Sequence, residues 1–302
     1  MSKKILLTGA SGFIGEYLIR ELETREIDYL AIDAKKSDKI PETNQQVVSI
    51  LDYEQLVHTL EQYKPDAIIH LAAIALATYE NVPEIYNVNV CGTENLFRAC
   101  IASEIQLPRI VLISTAGVYG NQGEILYSED LPYHPENHYS YSKMVAEFLA
   151  KQYADLDIKV VRPFNIVGVG QRNVFLIPKL VEHFAEKKEE LHIGNLEPQR
   201  DYVDVEYCAY VLAELALRKD VEFDVYNICS GIGRSVRDVI NILEKHSGYC
   251  PKIVIDPKFV RKNEVWRLVG SPERLQHLIG TRKCQDFERV LIDMYENYAK
   301  SK

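Results

Sequence analysis

Short apolar runs rich in β-branched residues alternate with longer amphipathic segments through the first half of the chain. The short runs predict β-strands at residues 4–8, 29–33, 46–51, 67–72, 109–114 and 159–163. The amphipathic segments predict helices at residues 13–26, 53–63, 83–104 and 139–154. Alternating strands and helices are typical of a mostly parallel sheet that helices cover on both faces. The predicted fold class is therefore α/β, with a doubly wound parallel sheet.

The second half of the chain has a less regular pattern. It predicts helices at residues 174–188, 205–218, 235–247, 272–279 and 285–299. It predicts strands at residues 191–195, 224–229 and 252–255. No repeat or low-complexity linker separates the two halves. We therefore predict a first domain over residues 1–165, with elements near 205–230 returning to its sheet, and a smaller C-terminal α/β lobe over 166–302.

Composition and charge exclude several classes of protein. The 302 residues include 44 acidic and 35 basic side chains, which give a net charge of −9, and no basic run is longer than a pair. This balance argues against a nucleic-acid-binding surface. The apolar run at the N-terminus is too short for a signal peptide or a membrane span. We therefore expect a cytoplasmic protein that makes no membrane contact.

The six cysteines are scattered along the chain without a Cys-x-x-Cys pair. Most of them lie within strongly apolar segments, where a cysteine behaves as a small buried side chain. We expect no disulfide and no metal site.

A glycine-rich turn joins the first predicted strand to the first predicted helix. Glycine allows a tight turn and a close approach of the backbone to a pyrophosphate, while the helix N-terminus favours an anion. A purely structural turn is the alternative, but the strand before it and the helix after it favour a dinucleotide site. The predicted cofactor contacts in this turn are Gly9, Ser11, Gly12, Phe13, Ile14 and Gly15.

Acidic residues at the ends of the second and third predicted strands bear on the choice of cofactor. Asp33 lies 18 residues after Gly15, where a carboxylate accepts hydrogen bonds from the adenosine ribose. NAD(H) is favoured because a 2′-phosphate would meet this negative charge, although Lys35 and Lys36 leave NADP(H) possible. Asp52 is predicted either to contact the adenine or to cap the helix that follows it.

The candidate catalytic group combines a helix with the end of the fifth strand. Tyr139 and Lys143 are four residues apart, so they share one helix face, whereas Tyr141 points elsewhere. An ammonium group beside a phenol favours the phenolate, which makes the phenol useful as an acid or base. Thr115 follows the fifth strand, at the edge where ligands collect in such sheets. A surface pair and a strand-end hydroxyl bonded to its own backbone are the alternative interpretations.

Taken together, these segments resemble the extended short-chain dehydrogenases/reductases that act on nucleotide sugars. The resemblance covers nearly the whole chain and includes the glycine turn together with residues 70–73, 89–93, 114–120, 139–143 and 162–168. It implies a Rossmann domain that binds NAD(P) and a partner that is a nucleotide-diphosphate sugar. It also implies a homodimer that pairs through helices 84–103 and 139–155.

The same resemblance assigns roles to individual residues. It makes Tyr139 the proton donor or acceptor, places Lys143 on the nicotinamide ribose, and lets Thr115 orient the sugar oxygen. It adds cofactor contacts at Leu71, Ala72, Ala73 and Pro163. It places three residues near the nucleotide diphosphate, which are Asn165, Arg200 and Arg261. It places Glu264 on the nucleotide ribose. Surface ion pairs of the two arginines with Asp201 or Glu264 are the alternative.

The loop after Thr115 bears on the reaction. The dehydratases of this family have an acidic residue directly after the threonine, whereas this chain has Ala116 and Gly117, so dehydration lacks its local acid and base. Residues 194–201, 226–233 and 261–271 are similar to segments of the GDP-6-deoxy-4-keto-mannose reductases.

We therefore expect a nucleotide-sugar oxidoreductase that reduces the C4 ketone of a 4-keto-6-deoxyhexose linked to GDP or dTDP. Such an enzyme serves deoxysugar biosynthesis for a surface polysaccharide or a glycoside. A nucleotide-sugar 4-epimerase and a 4-dehydrogenase are the alternatives. The Tyr139 and Lys143 pair disfavours a non-catalytic nucleotide sensor.

Overall fold

Six strands from the first part of the chain and one from the second half form a parallel β-sheet. The computed structural model describes residues 3–260, 264–280 and 284–302. The strands of this sheet are β1 (Lys4–Thr8), β2 (Asp28–Asp33), β3 (Gln45–Val47), β4 (Ala67–His70), β5 (Arg109–Ile113), β6 (Ile158–Pro163) and β10 (Val225–Ile228). Their order in the sheet is β10-β6-β5-β4-β1-β2-β3, and every pairing is parallel.

Helices cover both faces of this sheet. The first helix layer consists of α1 (Phe13–Thr24) and α7 (Val205–Leu217). The opposite layer consists of α2 (Tyr53–Tyr63), α4 (Gly92–Ala102) and α5 (His138–Gln152). Successive side chains of β1 point to opposite faces of the sheet. Ile5 and Leu7 lie in the core beneath α1 and α7, whereas Leu6 lies in the core beneath α2 and α4. The predicted doubly wound α/β fold is confirmed.

The second half adds two small sheets to the seven-stranded sheet. In the first, β9 (Gln199–Asp204) pairs with β7 (Asn165–Val167), β11 (Gly233–Ser235) and β13 (Arg267–Leu268). In the second, β8 (Glu190–Ile193) pairs in parallel with β12 (Lys252–Ile255). The remaining helices are α3 (Val82–Tyr86), α6 (Leu176–Ala185), α8 (Val236–Ser247), α9 (Glu273–Ile279) and α10 (Phe287–Lys300). A separate apolar core lies between α6, α8 and α10, and the domain boundary at 165 stays a prediction.

Several predicted elements differ from the structure by a few residues at their ends, and two differ more substantially. The strand predicted at 46–51 spans only Gln45–Val47, because it is an edge strand whose one partner is β2. The helix predicted at 83–104 is divided into α3, a π-helix at Asn87–Cys91, and α4. In the part of the chain that the structure describes, no helix is both long and apolar enough to span a membrane.

Candidate active site

The turns after β1 and β4 lie against each other at the carboxyl edge of the large sheet. Gly9 has a φ of 68°, and a Cβ atom on it would lie 2.6 Å from the Cα of Ala72. The Leu71 amide donates to the carbonyl oxygen of Thr8 at 3.1 Å, and the Ala72 amide donates to the Thr8 hydroxyl at 3.2 Å. Only glycine fits at position 9, so two predicted cofactor segments are held in contact.

The start of α1 is suited to an anion. Gly12 is the N-cap and supplies no side chain to bond the first-turn amides, which belong to Phe13, Ile14 and Gly15. A Cβ atom on Gly15 would lie 2.3 Å from the carbonyl oxygen of Ala10, so the helix begins directly against the turn. The backbone therefore forms a close-fitting cradle with amide donors, as a pyrophosphate requires.

Asp33 lies beside this turn at the end of β2. Its carboxylate accepts a hydrogen bond from the Ser11 amide at 3.3 Å, a second from the Ser11 hydroxyl, and one from the Ala34 amide at 2.8 Å. Lys36 forms an ion pair with Glu42. The negative group at this edge is therefore fixed next to the glycine turn, as the preference for NAD(H) requires.

Asp52 has the helix-capping role that the sequence left open. Its side chain accepts a hydrogen bond from the Gln55 amide at 3.1 Å and thereby caps α2. A contact between Asp52 and an adenine stays a prediction.

Thr115, Tyr139 and Lys143 come together where β5 ends and α5 begins. Asn137 caps α5 by accepting from the Ser140 amide at 2.9 Å, which places Tyr139 in the first turn. The Thr115 side chain is hydrogen-bonded to the Tyr139 phenol. The Thr115 hydroxyl oxygen also accepts from the Gly117 amide at 3.1 Å, so the hydroxyl proton is left for Tyr139. The structure thus brings the three predicted residues to one point.

Lys143 is almost fully buried, with 2% of its surface exposed. Its ammonium nitrogen donates to the carbonyl oxygen of Ile113 at 2.8 Å. Burial lowers the pKa of Lys143 to about 8, and the carboxylate of Glu147 opposes this shift. Burial raises the pKa of Tyr139 to about 12, and the hydrogen bond from Thr115 opposes it. At neutral pH a protonated phenol therefore lies one helical turn from an ammonium group.

His70 links β4 to this site, although it was not predicted as an individual site residue. Its buried ring bonds the Thr8 hydroxyl at 2.6 Å and the Thr93 hydroxyl at 3.0 Å. Burial, with the nearby charge of Lys143 as a smaller cause, lowers the pKa of His70 to about 3. The imidazole is therefore neutral and holds the Thr8 hydroxyl, which in turn accepts from the Ala72 amide.

Asn89, in the π-helix, was also missed as an individual site residue. Its buried side chain accepts from the Ile74 amide at 2.8 Å and donates to the Ile74 carbonyl oxygen at 3.1 Å. It also donates to the Ser142 hydroxyl at 2.9 Å. A π-helix shifts one side chain out of the regular helical positions, and here that side chain joins the loop after β4 to α5.

The predicted substrate residues cluster around β9. Asn165 donates from its side-chain amide to the Asp201 carbonyl oxygen at 3.2 Å. Arg200 forms an ion pair with Glu264 at 3.1 Å and donates to the Val265 carbonyl oxygen at 2.6 Å. Asp201 is instead buried, and its carboxylate accepts from the Ser230 amide at 2.9 Å. The pair of Arg200 with Glu264, one of the two ion pairs considered for this arginine, is present in the structure.

Arg261 lies outside the described residues. Pro163 is buried at the end of β6, on the same edge of the sheet as the other strand ends. Within the described ranges, no three His, Cys, Asp or Glu side chains are grouped so as to hold a metal ion.

Comparison with known proteins identifies the family. Residues 5–229 match the NAD dependent epimerase/dehydratase family. The chain belongs to this family. It is 35% identical over 296 residues to the GDP-6-deoxy-D-talose 4-dehydrogenase of Aggregatibacter actinomycetemcomitans, with 97% of each chain covered. It is 31% identical to the GDP-6-deoxy-D-mannose reductase of Pseudomonas aeruginosa, covering 93% of this chain and 92% of the relative.

A solved structure of the same family extends the likeness to the fold and the cofactor. The structure of RMD from Pseudomonas aeruginosa complexed with NADPH superposes with a TM-score of 0.86 at 27% identity, and all of both chains is covered. The family membership and this complex bear out the predicted NAD(P) cofactor and the predicted similarity to the extended short-chain dehydrogenases/reductases.

Proposed function

We propose that the protein is a cytoplasmic oxidoreductase that uses NAD(P)H to reduce the C4 ketone of a GDP-linked 4-keto-6-deoxyhexose, in deoxysugar biosynthesis. The observation that carries the proposal is the Thr115, Tyr139 and Lys143 cluster at the cofactor edge of the sheet. The two relatives named above interconvert a hydroxyl and a ketone on GDP-linked 6-deoxy sugars, by their names, and they favour GDP over dTDP. Reduction and dehydrogenation at C4 need the same acid–base group.

The proposed chemistry follows from the protonation states of the site. NAD(P)H supplies the hydride when bound. As the C4 carbonyl oxygen gains negative charge, the Tyr139 phenol donates its proton to that oxygen. The Thr115 hydroxyl hydrogen-bonds the phenol, and the Lys143 ammonium stabilises the phenolate that remains. Ala116 and Gly117 directly follow Thr115, so this loop has no carboxylate there to act as the local acid and base of a dehydration.

The residues around the glycine turn fit the cofactor. A Cβ on Gly9 would collide with the backbone of Ala72 and one on Gly15 with the backbone of Ala10, so these glycines hold the turn and the start of α1 in the compact arrangement that a dinucleotide site uses. We assign the pyrophosphate to the first turn of α1, the adenosine ribose to Asp33, and the nicotinamide side to Leu71, Ala72, Ala73 and Pro163. Lys143 is assigned to the nicotinamide ribose.

The residues near β9 are the proposed nucleotide-diphosphate site. Arg200 forms an ion pair with Glu264, and a guanidinium suits phosphate oxygens because it presents its N–H donors in pairs. Asn165, one strand away on β7, and Arg261 complete the proposed site. Glu264 is assigned to the nucleotide ribose.

Substrate-dependent consumption of NADH or NADPH tests the reaction. We expect purified protein with GDP-4-keto-6-deoxymannose to oxidise one NAD(P)H for each sugar reduced, and dTDP-4-keto-6-deoxyglucose to be used less well. A protein that retains NAD, shows no net consumption and interconverts two C4 epimers would be an epimerase, and the proposal would be wrong.

Cofactor preference provides a prediction at Asp33. Replacing its carboxylate removes the charge that a 2′-phosphate would meet, so Asp33→Ser should lower the ratio of kcat/KM for NADH to that for NADPH by about tenfold or more. Asp38→Ser, which removes an exposed carboxylate from the same loop, is the matched control and should leave the ratio unchanged. An unchanged ratio in Asp33→Ser would show that the Asp33 carboxylate does not lie at the adenosine ribose.

We also propose that the protein is a homodimer that pairs through α4 and α5. Tyr141 and Phe148 lie two turns apart on α5, with 43% and 46% of their surfaces exposed, and Ile101 on α4 is also exposed. Exposed apolar side chains on these two helices are the kind of surface that a partner subunit covers.

Solution mass tests the dimer. We expect light scattering to give twice 34.6 kDa for the unaltered protein and 34.6 kDa for Phe148→Glu. Phe259→Glu, an equally non-conservative change at an exposed phenylalanine elsewhere, should remain dimeric. A dimeric Phe148→Glu protein would exclude this surface.

A further inference from the structure

The end of β5 is joined to α5 by three contacts in succession. Three consecutive positions on the strand side each bond one of three α5 side chains that are spaced four residues apart. The pairs are Ile113 with Lys143, Ser114 with Glu147, and Thr115 with Tyr139. Side chains spaced by four residues lie one turn apart on one helix face. Glu147 thus continues the row that begins with Tyr139 and Lys143.

The carboxylate of Glu147 is unusually well held. It is 1% exposed, and it accepts from Arg162 at 2.6 Å, from the Tyr133 phenol at 2.8 Å and from the Ser114 hydroxyl. Arg162, on β6, is 2% exposed and also donates to the Tyr119 hydroxyl at 2.9 Å. Placing an ion pair in the interior adds little net stability, because both charges lose their hydration. The pair therefore calls for an explanation other than stability.

We propose that Glu147 is a positioning residue for the active site: held by Arg162 and Ser114, its carboxylate fixes α5 against the end of β5 and so sets Tyr139 and Lys143 relative to Thr115. This role rests on the function proposed above for those three residues. Ser114 transmits it most directly, because it bonds Glu147 and is adjacent in the chain to Thr115.

The charges around Lys143 give Glu147 a second effect. On α5 itself, Lys143 has Tyr139 on one side and the Glu147 carboxylate on the other. From β4 it meets His70, which is neutral, and Arg162 on β6 lies behind Glu147 and is paired with it. Glu147 raises the pKa of Lys143 against the effect of burial. Without the Glu147 carboxylate, a smaller fraction of Lys143 is protonated at a given pH. The ammonium then stabilises the Tyr139 phenolate less.

The test uses the holoenzyme in which residue 139 alone is replaced by 3,5-difluorotyrosine. The two fluorines lower the pKa of the phenol, so its titration can be followed in an accessible pH range. Fluorine NMR with NAD bound reports that titration without any substrate. The main variant is Glu147→Gln/Arg162→Met, which keeps the interior neutral. Ser114→Ala retains the ion pair and provides a variant that folds if the first does not. Glu214→Gln, which breaks an ion pair with Arg25 on the opposite helix layer, is the matched control.

We expect the double variant to raise the Tyr139 pKa by about one unit, because phenolate support is lost. In the unlabelled protein we expect kcat to fall by about tenfold or more with KM within about twofold. Ser114→Ala should shift both quantities in the same direction by a smaller amount, and Glu214→Gln should shift neither. Titration and kcat equal to those of the unaltered protein, in the folded double variant or in Ser114→Ala, would overturn the proposal.

The two proposals fail separately. If the unaltered protein reduces no 4-keto sugar, the proposed function is wrong, and the fluorine titration still shows whether Glu147 sets the state of Tyr139. If turnover is found and the titration does not respond to Glu147, only the positioning role is lost.

Discussion

Tyr139→Phe should lower kcat for 4-keto sugar reduction by about 10² to 10⁴-fold, because it removes the proton that the C4 oxygen receives. The phenol is protonated across the physiological range, since burial raises its pKa to about 12. The variant keeps the aromatic ring and loses one hydroxyl, so KM and NAD(P)H affinity should change little. Steady-state kinetics at pH 7 with cofactor binding measured separately provides the check.

Tyr141→Phe is the matched control for this experiment. Tyr141 lies two residues further along α5, is exposed, and loses the same hydroxyl. Its kcat should equal that of the unaltered enzyme. Near-normal turnover in Tyr139→Phe would show that another group supplies the proton.

Lys143→Met should lower kcat at pH 7 by about 10²-fold and should also change the pH profile. Burial lowers the pKa of Lys143 to about 8, so the ammonium is present below that pH and is lost as pH rises through it. The unaltered enzyme should therefore lose reductase activity above about pH 8. Methionine cannot titrate, so the variant should have low activity without this alkaline decline.

Lys151→Met is the control for the loss of a lysine from α5. Lys151 is exposed two turns after Lys143 and should leave both kcat and the pH profile unchanged. An alkaline decline that persists in Lys143→Met would assign the titration to a different group.

The first sheet could be predicted from the sequence because its strands are buried on both faces. Such strands are continuous apolar runs, as in β4 and β5, and the helices between them show a regular apolar period. The sheet around β9 was missed. Its partners β7, β11 and β13 have two or three residues each, which is too short for a period to show. The strand itself contains Arg200 and Asp201, which are typical of a surface.

Asp201 shows why that surface interpretation is wrong. Its carboxylate is buried because amides from two other segments, at Ser230, Gly231 and Gly270, donate to it. These partners are distant in sequence, and no local pattern indicates them. A charged residue in a short polar segment therefore becomes interior only through tertiary contacts.

The candidate site also contains some residues that could be predicted from the sequence and others that could not. The Tyr139 and Lys143 pair and the glycine turn depend on local spacing and could be predicted. His70 and Glu147 depend on partners from other strands and helices, and they were not predicted. A carboxylate on an amphipathic helix usually faces solvent, and the buried position of Glu147 depends on partners from elsewhere in the chain, which are Arg162, Ser114 and Tyr133.

The most direct test of the proposed reaction follows deuterium from the cofactor. Protein is incubated with GDP-4-keto-6-deoxymannose and NADH that carries deuterium at both C4 positions of the nicotinamide ring, and the product is analysed by NMR and mass spectrometry. C4 reduction predicts a GDP-6-deoxyhexose with one deuterium on C4 of the sugar and one NAD⁺ formed for each product molecule. A product without deuterium at C4, or deuterium at any other sugar carbon, would contradict reduction at C4.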